Sequence, residues 1–324
     1  MPNHVKAVDV LEGAINAGVM KAHMPFMDMA IRGLYAGFFL GVTASFNFQL
    51  TALYGNAMIG GLLFFAGFMM IIFYGFELVT GNMLVLPLAL MARRAPWLGC
   101  PKNLLTVYTG NFLGCALYLA FFYGSSLILD CGWTAIKVAQ LYCSWKTKTA
   151  DYYMMWTGWP PAFQGCHVQL LVSFAVLGSL ASTSTTGKVI ACWFPVALFA
   201  VMRYEHVVVN MYTVPCSMAL GSGVSWGLFW GWSIAPSTLG NMVGASLLVA
   251  FPMWVTHGHE YRQKQREAKQ IDDKLTGSSS SDGLMNAEEA IPPTYPDGSF
   301  VDEAPEALYS GNNAAPNTPD VRHY

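Results

Sequence analysis

Apolar residues in this chain gather into six stretches of about 20 residues or more, the length needed to cross roughly 30 Å of hydrocarbon. They run approximately Phe26–Leu50, Met58–Leu90, Leu104–Leu129, Phe163–Ser182, Val189–Leu220 and Leu239–Val255. The pattern predicts an all-α membrane protein with six spans. Two stretches are too long for one straight helix: Met58–Leu90 holds 33 residues, about 50 Å at 1.5 Å per residue. Each of these two also carries a mid-span carboxylate, Glu77 or Glu205. Length and charge together predict that spans two and five are discontinuous helices, broken where backbone and charge face a cavity instead of lipid.

An even number of spans leaves both termini on one side, and basic loops identify it as cytoplasmic. Arg93, Arg94 and Lys102 follow span two, Lys188 follows span four, and Arg262, Lys264, Arg266 and Lys269 follow span six. The opposite loops hold Lys137, Lys146 and Lys148 and, in Gly221–Pro236, no charge at all. Seven of the tryptophans (Trp133, Trp145, Trp156, Trp159, Trp226, Trp230, Trp232) fall in those loops, as interfacial aromatics do. Ahead of span one, Val10, Ala14, Ala17 and Met20 recur at helical spacing among Asp9, Glu12 and Lys21, so residues 1–25 read as an amphipathic interfacial helix and not a cleaved signal peptide. The domain plan is therefore this helix, a transport domain over 26–257 with halves of about 26–131 and 163–257, and a disordered acidic tail over 258–324.

Composition narrows the function classes. Of 324 residues, 54% are hydrophobic and 11% charged, against about 25% charged in a soluble domain. Before His257 there are seven acids and eleven bases, and from there on twelve acids and six bases. This excludes a nucleic-acid binder with a basic face and a large soluble catalytic domain. The seven cysteines form no C-x-x-C pair and no metal spacing, so no metal or other cofactor is expected; Cys131 and Cys143 are a disulfide candidate if their loop faces outside.

The chain also matches itself. Glu77-Leu78-Val79-Thr80-Gly81-Asn82-Met83 and Pro87 repeat, 128 residues on, as Glu205-His206-Val207-Val208-Val209-Asn210-Met211 and Pro215, in the pattern E-x4-N-M-x3-P. Gly110-Asn111 echoes Gly240-Asn241, and Arg32-Gly33 echoes Gln164-Gly165, at offsets of 130 and 132. Three spans per half is an odd number, so the halves must have opposite orientation: an inverted three-plus-three repeat whose breaks meet near the midplane. That is the plan of a pore or transport site. Glu77 and Glu205 sit where a freed helix N-terminus offers unpaired N–H groups, either to hold the turn or to carry protons. Leu78 of the first half becomes His206 in the second, and an imidazole inside the bilayer is a functional residue by default.

With its six spans, the Glu-Leu-x-Thr break and the Glu-His break followed by Asn, residues 10–257 resemble the formate/nitrite transporter family, and the long acidic tail resembles its protist members. The resemblance implies a homopentamer of aquaporin-like protomers, each with its own pore for small weak-acid anions, in protist members lactate moving with a proton. It implies roles for His206 as the central pore histidine, Asn210 as its polar partner, and Thr80 with Leu78, Gly81 and Asn82 in the first broken loop. Phe64, Phe68 and Phe199 match the apolar constrictions, and Lys21 the inner vestibule lysine; Lys148 or Lys146 matches the outer one if the loop carries extra residues. Two positions depart from the family: Gln169 replaces a common asparagine, and Arg203 a small residue. Three roles are open to Arg203: pairing with a carboxylate, snorkelling, or adding charge at the pore mouth.

The expected function is thus proton-coupled, electroneutral transport of small monocarboxylates such as lactate and formate, in the plasma membrane, with no enzymatic activity. His206 either donates the proton or tunes the pore field while water supplies it. The alternatives are an anion channel for formate- or nitrite-type ions and an aquaporin-like channel for neutral solutes. The last is disfavoured because neither Asn82-Met83-Leu84 nor Asn210-Met211-Tyr212 is an Asn-Pro-Ala loop.

Overall fold

A computed structural model describes residues 5–126 and 160–279 of the chain. The described residues are helical throughout, apart from short turns. In chain order they form α1 (Ala7–His23), α2 (Phe26–Tyr54), α3 (Ala57–Leu63), α4 (Phe65–Phe73), α5 (Val79–Met91), α6 (Gly99–Gly124), α7 (Pro160–Ala181), α8 (Thr185–Met202) and α9 (Val207–Ala219). A last run follows: α10 (Trp226–Leu228), a π segment (Phe229–Ile234), α11 (Ala235–Ala245), a second π segment (Ser246–Ala250) and α12 (Phe251–Ser279). Among the described residues five helices are long and apolar enough to cross a membrane, and Ala57–Phe73, Val79–Met91 and Val207–Ala219 are shorter apolar helices. Leu105, Leu113 and Phe121 on α6 and Leu247 and Phe251 on the last run are large apolar side chains left exposed, as lipid-facing positions require.

The two expected breaks are present. Met58–Leu90 divides into α3–α4 and α5, and Val189–Leu220 into α8 and α9. Both re-entering helices, α5 and α9, are 13 residues long with proline at the ninth position, Pro87 and Pro215. Corresponding elements also pack alike: α2 lies along α6, and α7 along α11. Glycine permits this close approach, since a Cβ on Gly37 of α2 would be driven into the backbone of Asn111, and one on Gly240 of α11 into that of Ala162.

Three expectations shift. The sixth membrane helix begins at Trp226, not near Leu239, so the uncharged segment read as a loop is largely helix; its tryptophans ride on helix and π turns. At the other end α12 continues past His257 to Ser279, where composition pointed to tail. The helix formers Glu, Lys, Gln, Arg and Ala sustain it, with Tyr261 buried on its inner face. Finally, α1 buries Val10, Leu11, Ala14, Ile15, Gly18 and Ala22, whereas Met20 is exposed. It packs on α5, with Gly18 against Val85 and Ala89.

Outside the apolar layer α1 is tied to α12. Lys264 lies 2.8 Å from Asp9 Oδ1 and 2.6 Å from Glu12 Oε2, and these carboxylates hold its ammonium above the ordinary lysine range. Arg94 donates to Asn16 Oδ1 (2.7 Å) and Tyr261 OH (3.2 Å).

Candidate functional site

The site is built on the two helix starts at the breaks. Leu78 caps α5 with extended backbone (φ −104°, ψ 119°), and His206 caps α9 with nearly the same angles (−95°, 117°). A helix starting in the protein interior must find acceptors for its first N–H groups. In the first half the Val79 N–H donates to Asn111 Oδ1 at 3.0 Å, while Asn111 Nδ2 donates to the carbonyls of Gly33 and Glu77, both at 2.8 Å. In the second half the Val207 N–H donates to Asn241 Oδ1 at 3.0 Å, and Asn241 Nδ2 to the carbonyls of Gly165 (3.0 Å) and Glu205 (3.1 Å). Asn111 and Asn241 were not among the expected site residues. Their signal was in the sequence all the same, as the repeated Gly-Asn pair.

Each glutamate holds the asparagine five residues on. Asn82 Nδ2 donates to Glu77 Oε2 at 2.7 Å, and Asn210 Nδ2 to Glu205 Oε2 at 2.5 Å. Glu77 Oε1 is also 2.5 Å from Lys21 Nζ, with the carboxylate side chain 3% exposed and the lysine 22%. Of the N–H groups freed at the first break, that of Val79 goes to Asn111 and not to Glu77. Asn103 joins this network, accepting from Asn82 (2.8 Å) and donating to the Lys21 carbonyl (2.9 Å); in the second half Ser237 accepts from Asn210 (3.2 Å).

The halves meet at His206 and Thr80. His206 Nε2 is 3.1 Å from Thr80 Oγ1, and its Nδ1 accepts the Val209 N–H at 3.2 Å, capping α9. A backbone N–H can only donate, so in the neutral ring the hydrogen is on Nε2 and points at Thr80 Oγ1. The Thr80 carbonyl in turn accepts from Gln169 Nε2 at 2.8 Å, which gives that departing residue a positioning contact. Phe199 stacks on the His206 ring (centroids 5.6 Å apart, planes at 11°), and Phe64 meets Phe199 edge-on at 5.8 Å. Phe64, Phe68 and Phe199 are all buried.

Two cavities flank this cluster. One, of about 280 Å³, is lined by Lys21, Phe68, Leu78, Gly81, Asn82 and Lys188 among others. The second, of about 40 Å³, is lined by Asn47, Thr51, Phe64, Phe199, Arg203 and Tyr204 among others. They lie at opposite ends of α8, since Lys188 is in its first turns and Arg203 is its C-cap. Lys148 and the cysteine pair Cys131 and Cys143 fall outside the described residues. His167 is exposed, its Nδ1 within 2.8 Å of the Phe163 carbonyl.

A broken-helix pair with a shared histidine is a transport architecture, and similarity to known proteins decides which one. The model of the formate/nitrite transporter family matches residues 8–255, most of the chain. The chain belongs to the formate/nitrite transporter family. It is a membrane transport protein of a family of transporters and channels for formate-type anions, and not an enzyme. This transporter is 33% identical to a probable formate transporter of Methanothermobacter thermautotrophicus over 62% of the chain and 75% of that protein. It is 26% identical to the formate-nitrite transporter of Plasmodium knowlesi, over 78% of the chain and 83% of that protein. Among solved structures, it is similar to a pentameric formate channel with formate bound (TM-score 0.55, 22% identity, 72% of this chain and 97% of that one). It is also similar to an FNT family ion channel (TM-score 0.60, 20% identity, 77% and 98%). Both likenesses extend to the fold.

Proposed function

We propose that the transporter carries small monocarboxylates, lactate and formate among them, together with a proton and without net charge movement, through a pore in each protomer. The observation that supports this reading is the Thr80–His206 contact, framed by three buried phenylalanines between two cavities that each contain a cation. Lys21 and Lys188 in the first cavity raise the local anion concentration there. Beyond them a bare carboxylate loses its water among Phe64, Phe68 and Phe199, at a cost reaching well above 4 kcal/mol in an apolar surround. A carboxyl with an ordinary pKa lies about 3 units below neutral pH, so forming the neutral acid costs only on the order of 4 kcal/mol. Protonation is the cheaper route across.

His206, with Nδ1 occupied by the α9 cap, serves as a neutral donor through Nε2. A second ring proton would have to displace the Val209 N–H, so the proton that neutralises the substrate comes from vestibule water. Thr80, Asn210 and the backbone around Leu78, Gly81 and Asn82 line and hold the passage, and Lys148 supplements the cation on the far side. Both termini are cytoplasmic by the basic loops, the halves are related as an inverted three-plus-three repeat, and the assembly is a homopentamer in the lipid bilayer of the plasma membrane. The pentameric state named for one similar structure supports the last of these.

The same structure, a formate channel, favours one second reading: passive anion conduction. Uptake of labelled lactate and formate into proteoliposomes, at inside pH 7.5 and outside pH 5.5 to 7.5 with the potential clamped, separates the two. Uptake that rises steeply at acid pH and ignores potential is expected. Flux that follows the potential and ignores pH would replace carriage by a channel.

A further inference from the structure

Superposing the two breaks by sequence register brings Gly75 of the first half onto Arg203 of the second, each two residues before the turn glutamate. Both have left-handed backbone, φ 63° at Gly75 and φ 55° at Arg203. Glycine adopts that conformation freely, whereas a residue with a side chain pays for it. A Cβ at Gly75 would meet nothing within 4 Å, so space does not exclude a side chain from that turn. The second half thus bears backbone strain that the first avoids, and gains a guanidinium three residues before His206.

We infer that Arg203 is the anion-attracting, specificity-setting residue of the far cavity, doing there what Lys21 and Lys188 do in the α1-side cavity. Among the described residues lining the far cavity, Arg203 alone carries a charge; Asn47, Thr51 and Tyr204 supply neutral polar groups, and Phe64 and Phe199 form the apolar floor. A cation is stable at this position because Arg203 ends α8, and a helix C-terminus favours positive charge. Its planar fork of donors suits a carboxylate better than a neutral solute. As the mouth of an anion path this role rests on the transport reading above, but the charge in the cavity can be measured without transport.

The test introduces Ala57→Cys at the cavity wall in the full-length protein in proteoliposomes, and compares its reaction with anionic and cationic thiosulfonates, after correction for the chain's own cysteines. With Arg203 present the anionic reagent should be favoured, and Arg203→Gly should lower the anionic-to-cationic rate ratio about tenfold at low salt, while Arg203→Lys retains most of it. Glycine is the residue that the first half already uses at this turn, so the variant should fold; Arg203→Gln serves as a second neutral form. In transport, Arg203→Gly should raise KM for lactate or formate several-fold with kcat little changed, and the difference should shrink at high salt. An unchanged reagent ratio in both neutral variants overturns the role of Arg203. A normal loss of the ratio in a protein that carries no monocarboxylate would leave Arg203 in place and sink the transport reading instead.

Discussion

The two broken-helix turns have one scaffold and two chemistries. Backbone angles at Leu78 and His206 agree within about ten degrees, and each following helix is held by an asparagine through one accepted and two donated bonds. The side chains at the same positions differ in kind. The first half gives the centre a hydroxyl, Thr80, and gives its glutamate a lysine partner; the second gives the centre an imidazole and places an arginine at its turn. Repetition supplies the scaffold, and its departures supply the chemistry. The comparison predicts that scaffold changes act equally in both halves, whereas changes to chemistry act in one.

The largest effect should come from the scaffold. Asn111→Leu leaves the Val79 N–H and the Gly33 and Glu77 carbonyls without their buried partner, and each orphaned group costs about 1–3 kcal/mol. Asn241→Leu does the same to Val207, Gly165 and Glu205. Both should lose several kcal/mol, or fail to yield folded protein in detergent, as read by thermal unfolding and size-exclusion chromatography. A mild Asn241→Leu beside a severe Asn111→Leu would break the equivalence of the halves.

Next comes the ion pair between Lys21 and Glu77 in the first half. Lys21→Met leaves the buried Glu77 carboxylate with Asn82 alone, which should cost about 3 kcal/mol or more. The double variant with Glu77→Gln should recover much of that loss, because the uncompensated charge is gone. Additive losses in a thermal-unfolding cycle would mean the pair is two independent contacts.

Much of this was legible in the sequence, because the repeat is a short-range signal. The pattern E-x4-N-M-x3-P marks both breaks, the mid-span glutamates explain why they exist, and the Leu78-to-His206 change identifies the central residue. Other features need tertiary structure. Lys21 reaches Glu77 across 56 positions, and Asn111 reaches Gly33 across 78; nothing local in either segment names its partner. The start of the last membrane helix was hidden because Trp226, Trp230 and Trp232 suit an interface loop as well as a helix end. The extent of α12 was hidden because a polar helix has no apolar period to find.

At the centre, His206→Leu turns the second half into a copy of the first. It removes the Nε2 contact to Thr80 and the Nδ1 cap on α9, the latter worth about 1 kcal/mol, so the protein should fold and bind substrate but lose transport by tenfold or more. Thr80→Val removes only the hydroxyl and should slow flux less, by roughly the factor of ten that one hydrogen bond of about 1.4 kcal/mol represents. Proteoliposome uptake at pH 5.5 measures both. Undiminished proton-coupled flux in His206→Leu would make the asymmetry at this position ornamental.

The smallest effect isolates the backbone. Gly75 and Arg203 share a left-handed turn, and a Cβ at Gly75 would touch nothing, so Gly75→Ala should cost only the conformational strain, about 1 kcal/mol, less a few tenths recovered from a stiffer unfolded chain. Arg203→Gly runs the other way. It relieves strain of about 1 kcal/mol and loosens the unfolded chain by nearly as much, so the backbone contribution to stability should barely move. An Arg203→Gly loss above about 2 kcal/mol, measured by chemical unfolding in detergent, would mean that the guanidinium holds the fold together. A near-zero change would leave charge in the far cavity as the reason for an arginine in a glycine's conformation.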